Sequence, residues 1–232
     1  MNTQWSTQTP VGDFVKDNVL CAKTFEDLSI DFCCGGANSL EDACQEKGLK
    51  PKEILNQLQK LENLAPEADS EIKKLTPGQL TEHIEEKHHK YLKDAFPRIA
   101  SLMGKVLSAH GGRHPELQEL QTAFTHLRED LEPHLVKEER VLFPLIKKLE
   151  FQGLGNHMKA TAGPIRVMLA EHDRAGELLK KIREITSGFK TPEDGCGSFN
   201  ALYEELKFLE EDTHLHIHKE NNILFSKLET IN

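Results

Sequence analysis

Two segments of the sequence share one pattern of histidine and glutamate. They are HLVKEERVLFP at residues 134–144 and HIHKENNILFS at residues 216–226, aligned on their common Leu-Phe dipeptide. The alignment pairs His134 and Glu138 with His216 and Glu220. Residues four apart lie on one face of an α-helix, and here that face continues into apolar residues, so both side chains should point into the core. A buried carboxylate is costly without a partner, and a metal ion would supply one.

Two more histidines lie at matching offsets. The interval in sequence from His89 to His172 is nearly the same as the interval from His134 to His216. His89 precedes Gly111 by as many positions as His134 follows Gly112. An antiparallel helix pair that turns at these glycines therefore brings His89 and His134 to about the same level.

The resulting set has more ligands than one ordinary zinc site needs. It comprises His89, His134, His172, His216, Glu138 and Glu220. Helical bundles that collect histidines and glutamates from all their helices are typical of di-iron sites. Each iron would take two imidazoles, the two glutamates would bridge, and an oxo or hydroxo ligand would complete the centre. A lone histidine on an apolar face is more often an ordinary core residue, and the duplicated pattern is what favours metal binding.

Two aspartates stand one turn before the histidines of the repeat. Asp130 and Asp212 are predicted to orient the imidazoles by accepting hydrogen bonds. The alternative interpretation is that both are plain carboxylates on a helix surface. His214 and His218 alternate with His216, and the register predicts that they point away from the site, solvated or peripheral.

The ligands require four long helices, and the sequence supplies signals for them. The first begins at a Thr76 cap with Pro77 in its first turn and breaks at Gly111-Gly112; the second runs from about His114 to Leu149; the third from Pro164 to about Ser187; the last from about Ser198 to Leu228. Residues 151–163 are predicted to form a loop. Strand and hairpin signals are nearly absent. The predicted fold is all-α, an antiparallel four-helix bundle.

A smaller helical domain is predicted before the bundle. Its helices include Leu40–Lys47, capped by Ser39, and one that begins at Pro51. We predict a small domain over residues 1–64, a polar, aperiodic linker over 65–75, and the metal-binding bundle over 76–232.

Composition excludes several classes of protein. The chain has 232 residues and a formal net charge of -9, whereas nucleic-acid-binding proteins carry basic patches. No apolar run of about 18 residues could span a membrane, and no secretory signal is visible, so a cytoplasmic location is expected. Twelve histidines favour metal binding, and an odd count of five cysteines does not suggest a disulfide framework.

Two adjacent cysteines form a second candidate site. Cys33-Cys34-Gly35-Gly36 lies between two short predicted helices. The glycines would allow a tight turn at the start of the next helix, where backbone N–H groups and the helix dipole favour a thiolate. The pair would then be redox-active or would pass iron; the alternative is two small residues buried in a turn. Cys21, Cys44 and Cys196 are interpreted as structural.

These motifs resemble a known family. HHKYLKDAFPRI, LEPHLVKEERVLFPLI, LAEHDRAGELL and HIHKENNILFSKL are similar to the helix motifs of hemerythrin-like di-iron proteins, and IDFCCGGANSLEDACQEKGL resembles the short domain that precedes such a bundle in the Repair of Iron Centres family, of the YtfE/ScdA type. The resemblance covers the chain from about Thr9 to Leu228. It assigns the same six ligands and chooses His89 over His88, which spacing favours only slightly. Ser226 stands where the family usually has proline.

The resemblance implies a function. It implies a cytoplasmic protein with two iron ions that helps to restore iron–sulfur clusters damaged by nitrosative or oxidative stress. Its partners would be damaged iron–sulfur proteins, with nitric oxide or oxygen species as small ligands and no nucleic acid or membrane; a homodimer stays open. A metal-binding repair protein is favoured over a classical enzyme. The alternatives are a nitric oxide or peroxide reductase that uses the same site, and an oxygen- or redox-sensing module.

Overall fold

The computed structural model describes residues 5–61, 64, 67–152 and 157–230, and it is built from helices. In these ranges there is no strand, which confirms the all-α prediction. The α-helices are α1 (Val11–Asp17), α2 (Leu20–Asp27), α3 (Leu40–Glu46), α4 (Pro51–Leu61), α5 (Glu67–Lys74), α6 (Pro77–Ile84), α7 (Lys90–His110), α8 (Glu116–Lys137), α9 (Phe143–Gln152), α10 (His157–Ile185), α11 (Gly197–His218) and α12 (Ser226–Thr230). Segments of π-helix separate some of them: π1 (Glu85–His89), π2 (Glu138–Leu142) and π3 (Lys219–Phe225).

Contacts divide the chain into two compact units. Unit 1 contains Met1–Thr81, Leu149–Met158 and His214–Asn232, and unit 2 contains Glu82–Lys148 and Lys159–Thr213. The domain boundaries predicted at residues 64 and 76 stay a prediction. The segment predicted to be a linker includes α5, whose Lys73 pairs with Asp17 at 2.8 Å within unit 1.

Unit 2 is a four-helix bundle. Its helices meet in the cyclic order α7, α8, α10, α11, through the pairs Phe96–Phe124, Glu119–Lys181, Arg183–Glu210 and Arg98–Glu205. The pair His134–Glu171 lies further along α8 and earlier along α10 than Glu119–Lys181, so these two helices are antiparallel. The buried residues of α7, among them Leu92, Phe96, Ile99, Met103 and Val106, recur every three or four positions, as a helix with one core-facing stripe requires.

Unit 1 is built on a series of aromatic contacts. Trp5 meets Phe14, Phe14 meets Phe25, and Phe25 meets Phe32, with ring centroids 4.9, 5.9 and 6.2 Å apart. The last ring also lies 5.8 Å from the ring of His218. The N-terminal helices therefore pack on the C-terminal end of α11.

Local signals predicted the helix starts well. Ser39 Oγ accepts a hydrogen bond from Asp42 N at 3.1 Å, so it caps α3, and α4 begins at Pro51. Thr76 and Gln79 cap each other, since Gln79 N donates to Thr76 Oγ1 and Thr76 N donates to Gln79 Oε1. This reciprocal arrangement satisfies two donors that a helix start leaves without partners.

The predicted start of the third long helix was wrong. Helix α10 begins at His157, so Pro164 lies in its interior. A proline there removes one backbone hydrogen bond. Helix α10 has 29 residues, and the packing of the others outweighs that local cost. Residues 153–156 of the predicted loop lie outside the described residues.

The close approach at Gly36 gives a test of unit 1. A Cβ atom at this position would lie 2.5 Å from Asn222 Oδ1 and 2.8 Å from the backbone oxygen of Phe32. We expect Gly36→Ala to lower the free energy of unfolding by about 1–3 kcal/mol, because the backbone must shift. Urea unfolding followed by circular dichroism measures the change.

Gly104→Ala is the matched control. Gly104 lies on the exposed side of α7 with no atom within 4 Å of an added Cβ. Alanine there should raise the free energy of unfolding by about 0.5–1 kcal/mol. Equal effects of the two substitutions would contradict the packing described for Gly36.

Candidate metal centre

Glu138 is the centre of the predicted ligand set in unit 2. Its side chain has no exposed surface. Oε2 lies 3.3 Å from Nε2 of His89 on π1, and Oε1 lies 3.3 Å from Nε2 of His134, one turn earlier on α8. One carboxylate therefore faces two imidazoles on different helices, one with each oxygen.

His172 from α10 joins this group. Its Nε2 lies 3.2 Å from Nε2 of His134, and both rings are buried. Ligand atoms of His134, Glu138 and His172 all lie within 4.8 Å of one another. Histidine nitrogens and carboxylate oxygens at this separation form a donor set of the kind that binds transition metals.

The rear nitrogen of His89 is fixed by a second carboxylate. Nδ1 of His89 lies 2.8 Å from Glu139 Oε1, and Lys93 donates to the same oxygen at 2.6 Å. Burial opposes ionisation of Glu139, but the hydrogen bonds from Lys93 and His89 outweigh it and lower its pKa. The anionic carboxylate holds a proton on Nδ1, which leaves Nε2 to face Glu138.

His134 is held in the same way by a different helix. Its Nδ1 lies 2.8 Å from Glu171 Oε2 on α10, and Lys137 forms a short ion pair with the same carboxylate. Burial raises the pKa of Glu171, and the hydrogen bonds from Lys137 and His134 overcome this effect and lower it. The rear nitrogens of His89 and His134 thus each face a glutamate that is paired with a lysine.

The second half of the repeat lies in unit 1. His216 Nε2 is 3.2 Å from Glu220 Oε1, and both side chains are fully buried. This matches the 3.3 Å contact between His134 and Glu138, so each copy of the repeat forms the same contact between a histidine and the glutamate four residues later.

The histidines that flank His216 differ from each other. His214 is partly exposed, with Nδ1 4.0 Å from Glu26. The prediction that His218 is solvated or peripheral was wrong about its solvation, because Phe32 covers its ring and only 2% of the residue is exposed. Burial lowers the pKa of His218 to about 4, so the ring is neutral. The register argument could not foresee a covering segment from the N-terminus.

Of the two aspartates predicted to orient the imidazoles, Asp130 has another partner, whereas the role predicted for Asp212 toward His216 stays a prediction. Asp130 lies 3.8 Å from Arg174, and the place behind His134 is taken by Glu171, which reaches across from a neighbouring helix. Asp212 Oδ1 lies 2.9 Å from Nδ1 of His88. His88 is therefore buried against a carboxylate of its own, whereas His89 faces Glu138.

Sequence reasoning missed Glu139 and Glu171. Each stands directly beside a predicted ligand, Glu138 or His172. Neighbours in a helix point about 100° apart, so neither shares the stripe that the spacing argument followed. The available signal was that an acidic residue directly adjoins both Glu138 and His172 in the sequence.

The cysteine turn is organised by Asp31. Its carboxylate accepts hydrogen bonds from the backbone N–H groups of Cys33, Cys34 and Gly35 at 2.9–3.0 Å, and Cys33 Sγ lies 3.2 Å from it. Cys33 Sγ lies 3.9 Å from Cys34 Sγ. Ligand atoms of Asp31, Cys33 and Cys34 lie within 4.8 Å of one another, so this turn could also hold a metal ion.

The expected stabilisation of a thiolate at Cys33 was wrong. A hydrogen bond to Cys34, burial and the nearby Asp31 carboxylate raise the pKa of Cys33 well above its usual range. The backbone N–H groups that were expected to favour a thiolate serve Asp31 instead, and the next helix begins only at Leu40. Cys34 is the more exposed of the two residues.

The residues present fit a metal ion. The centre in unit 2 offers three buried imidazoles and a buried carboxylate with its oxygens aimed at two of them. Positive charge at this point would offset the cost of burying the carboxylate. The centre contains no thiolate, so its donors suit a borderline metal such as iron.

Comparison with known proteins agrees with this chemistry. Residues 80–228 match the hemerythrin HHE cation-binding domain. The chain belongs to the hemerythrin HHE family. Residues 7–62 match a second domain, ScdA_N, a domain of unknown function also called DUF542. Both findings confirm the resemblance stated from the motifs, and cation binding is a property of this family.

Relatives match nearly the full length of the chain. The iron-sulfur cluster repair protein ScdA of Staphylococcus haemolyticus is 29% identical over 222 residues, which cover 96% of this chain and 98% of that protein. A probable iron-sulfur cluster repair protein of Haemophilus influenzae is 35% identical over 89% of this chain and 90% of its own. The iron-sulfur cluster repair protein YtfE of Escherichia coli O8 is 33% identical over 94% and 95%.

The helices also bear on the membrane prediction. Among the described residues, no helix is both long enough and apolar enough to cross a bilayer.

The carboxylate behind His134 gives a test of the centre. Glu171→Gln keeps the side chain's size but removes the charge that pairs with Lys137 and holds the imidazole. We expect the affinity for ferrous iron to fall about 10- to 100-fold, the usual cost of losing such a partner. Competition with a chelator under anaerobic conditions measures it.

Asp130→Asn is the control for this experiment. Asp130 carries the same charge but lies beside Arg174 on the bundle surface. The affinity of Asp130→Asn for ferrous iron should match that of the unmodified chain. A loss for Asp130→Asn as large as the loss for Glu171→Gln would contradict the positioning role of Glu171.

Proposed function

We propose that this chain is a cytoplasmic di-iron protein that restores iron–sulfur clusters damaged by nitrosative or oxidative stress. The observation that carries the proposal is the buried carboxylate of Glu138, which has an imidazole nitrogen 3.3 Å from each oxygen. The relatives support the biological role, since proteins similar over nearly the whole chain bear the name iron-sulfur cluster repair protein.

We propose two metal ions because each copy of the repeat supplies a buried carboxylate beside a histidine. Glu138, whose oxygens face different imidazoles, would hold iron together with His89 and His134. Glu220 occupies the same position in the second copy of the repeat and pairs with its own histidine at 3.2 Å. From the repeat in the sequence, we propose that Glu220 would also hold iron and that four histidines would supply the remaining protein ligands: His89, His134, His172 and His216.

Iron, when bound there, would supply redox chemistry toward nitric oxide or oxygen species, or metal for a damaged cluster. The protein's own residues hold the imidazoles in one tautomer. Glu139 and Glu171 keep a proton on the rear nitrogens of His89 and His134. Deprotonation of these carboxylates is supported by Lys93 and Lys137, so the ligand geometry is prepared before a metal arrives.

The vicinal cysteines supply what the centre lacks. Thiolate is the natural ligand for an iron–sulfur cluster or an iron ion in transit. Cys34 is partly exposed, and Cys33 lies buried beside it. We propose that Cys34 makes the first contact with iron and that Cys33 joins after its proton passes to the Asp31 carboxylate, which lies 3.2 Å from its sulfur. All five cysteines lie within the described ranges and are thiols, as a reducing cytoplasm requires.

Metal stoichiometry and register are tested together. Elemental analysis should find about two iron atoms per chain, the number that a bundle of this kind binds. His216→Ala should retain about one iron or fewer, because it removes one of four imidazoles. His214→Ala should keep the full content, since His214 is partly exposed and lies beside Glu26. One tightly bound zinc per chain, or an equal loss of iron in both variants, would contradict the proposed ligand set.

Repair itself is tested with a client whose cluster has been damaged by nitric oxide. The protein, loaded with isotopically enriched iron, is incubated anaerobically with an iron–sulfur enzyme, and the recovered activity and the label in the client are measured. Recovery with label indicates iron supply, and recovery without label indicates removal of nitric oxide. No recovery beyond that given by the metal-free protein would contradict the repair function.

The cysteines are tested in the full-length chain. Cys33→Ser combined with Cys34→Ser should leave the iron content unchanged but reduce the rate of client recovery at least tenfold. The matched control is Cys44→Ser, which changes a buried cysteine outside the Asp31 turn. Full recovery with the double variant would mean that the cysteine turn is structural.

A further inference from the structure

A second group of reactive residues lies at the far end of the bundle in unit 2. His110 is the last residue of α7, and it follows His89 by 21 residues. At 1.5 Å per residue, about 30 Å of helix separates these two histidines. This group therefore cannot share ligands with the proposed iron centre, and its chemistry can be examined independently.

Cys196 stands at this end and differs from the structural interpretation given to it above. It is exposed, whereas Cys21 and Cys44 are buried. It immediately precedes α11, and its backbone oxygen accepts a hydrogen bond from Asn200 N at 3.0 Å in the first turn. Glycines flank it on both sides, so no neighbouring side chain in the sequence shields the sulfur.

The sulfur has a buried histidine as its partner. Nε2 of His110 lies 3.1 Å from Cys196 Sγ, and only 6% of His110 is exposed. The ring of Phe199 packs edge-on against His110 with centroids 5.3 Å apart. This packing fixes the imidazole, so the contact with the sulfur is built into the bundle and does not arise from a mobile surface side chain.

Arg113 determines which nitrogen of His110 carries the proton. Its guanidinium NH2 lies 3.2 Å from Nδ1 of His110, and a guanidinium can only donate hydrogen bonds. Nδ1 is therefore the acceptor, and the ring proton lies on Nε2. The bond to Cys196 is then N–H···S, in which the sulfur accepts.

Positive charge also lies around this cysteine–histidine pair. Arg113 brings a cation next to the imidazole, and α11 directs the positive end of a 22-residue helix dipole at the residue that precedes it. Asp194, whose carboxylate lies within 4.8 Å of ligand nitrogens of His110 and His114, is already paired with Arg113 and with His114 at 3.1 and 3.0 Å. Its negative charge is thus largely compensated.

We propose that Cys196 is a covalent modification site that exchanges with low-molecular-weight disulfides. The Sγ thiolate attacks one sulfur of the disulfide, and a new S–S bond forms as the old one breaks. The departing half leaves as a thiolate with the electron pair and takes a proton from water. Cys196 is oxidised to a mixed disulfide, one equivalent of small thiol is released, and a second small thiol reverses the step.

The test uses the iron-loaded, full-length protein and oxidised glutathione without oxygen. Intact-mass spectrometry follows the addition of one glutathionyl group, and peptide mapping locates it. We expect Cys196 to be the first cysteine modified. His110→Phe, which keeps a ring in the buried space, should slow its modification about fivefold to tenfold, because the hydrogen bond to the thiolate is lost while the intrinsic nucleophilicity rises. His110→Gln, which keeps an N–H donor, should recover part of the rate.

Two further variants complete the test. His114→Phe changes the other histidine that packs on Phe199, and Asp194 keeps its pair with Arg113, so the rate should stay within about twofold of the unmodified chain. Arg113→Met, at an exposed position that does not threaten folding, should slow the reaction because Nδ1 no longer has its donor. If Cys196 reacts at the same rate in the unmodified chain, His110→Phe and Arg113→Met, the thiol is an ordinary surface cysteine and the proposal fails. An unchanged iron content in Cys196→Ser would separate this site from the metal centre.

Discussion

The burial of one carboxylate constrains much of unit 2. Glu138 has no exposed surface, and removing its charge from water would cost several kcal/mol without compensation. Its oxygens face His89 and His134, whose rear nitrogens are held by Glu139 and Glu171, so both ring protons lie on the far side and a metal ion would supply the compensating charge. These two glutamates are in turn paired with the partly exposed Lys93 and Lys137. Each lysine is therefore connected to a metal-facing imidazole through two successive hydrogen bonds, and a change at an exposed lysine acts on the centre through them.

Part of this arrangement is encoded locally and part is not. Ser39, Thr76 and the His-x3-Glu spacing could be read from the sequence, because a cap or a helical stripe depends only on neighbouring residues. Glu139 and Glu171 could not, because their partners lie on other helices. His218 was misjudged for the same reason, since a side chain that points away from one cluster is solvated only if nothing else covers it. Phe32, 186 residues away in the sequence, does so.

The π segments are a further feature without a clear signal in the sequence. π1 ends at His89, π2 begins at Glu138, and π3 contains Glu220, so each includes a predicted ligand. Proline is not their common cause, because Pro144 follows π2 while Ser226 occupies the equivalent place after π3. What the segments share is a buried polar side chain that must reach a defined point. Wider turns of this kind recur at functional sites and re-aim side chains within a helix.

The two copies of the repeat diverge directly after their glutamates, and this divergence has a physical reason. Glu139 and Arg140 in the first copy correspond to Asn221 and Asn222 in the second. Asn222 Nδ2 donates to the backbone oxygen of Cys33 at 3.0 Å, in a space that Gly12 and Gly36 leave open. An arginine there would have to fit a much longer, charged side chain against the backbone at Gly12 and Gly36, whereas a short neutral amide satisfies a backbone oxygen in the same space. The cysteine turn and Glu220, a predicted metal ligand, are consequently fixed by one short stretch of helix, so any movement of that stretch displaces the thiols and Glu220 together.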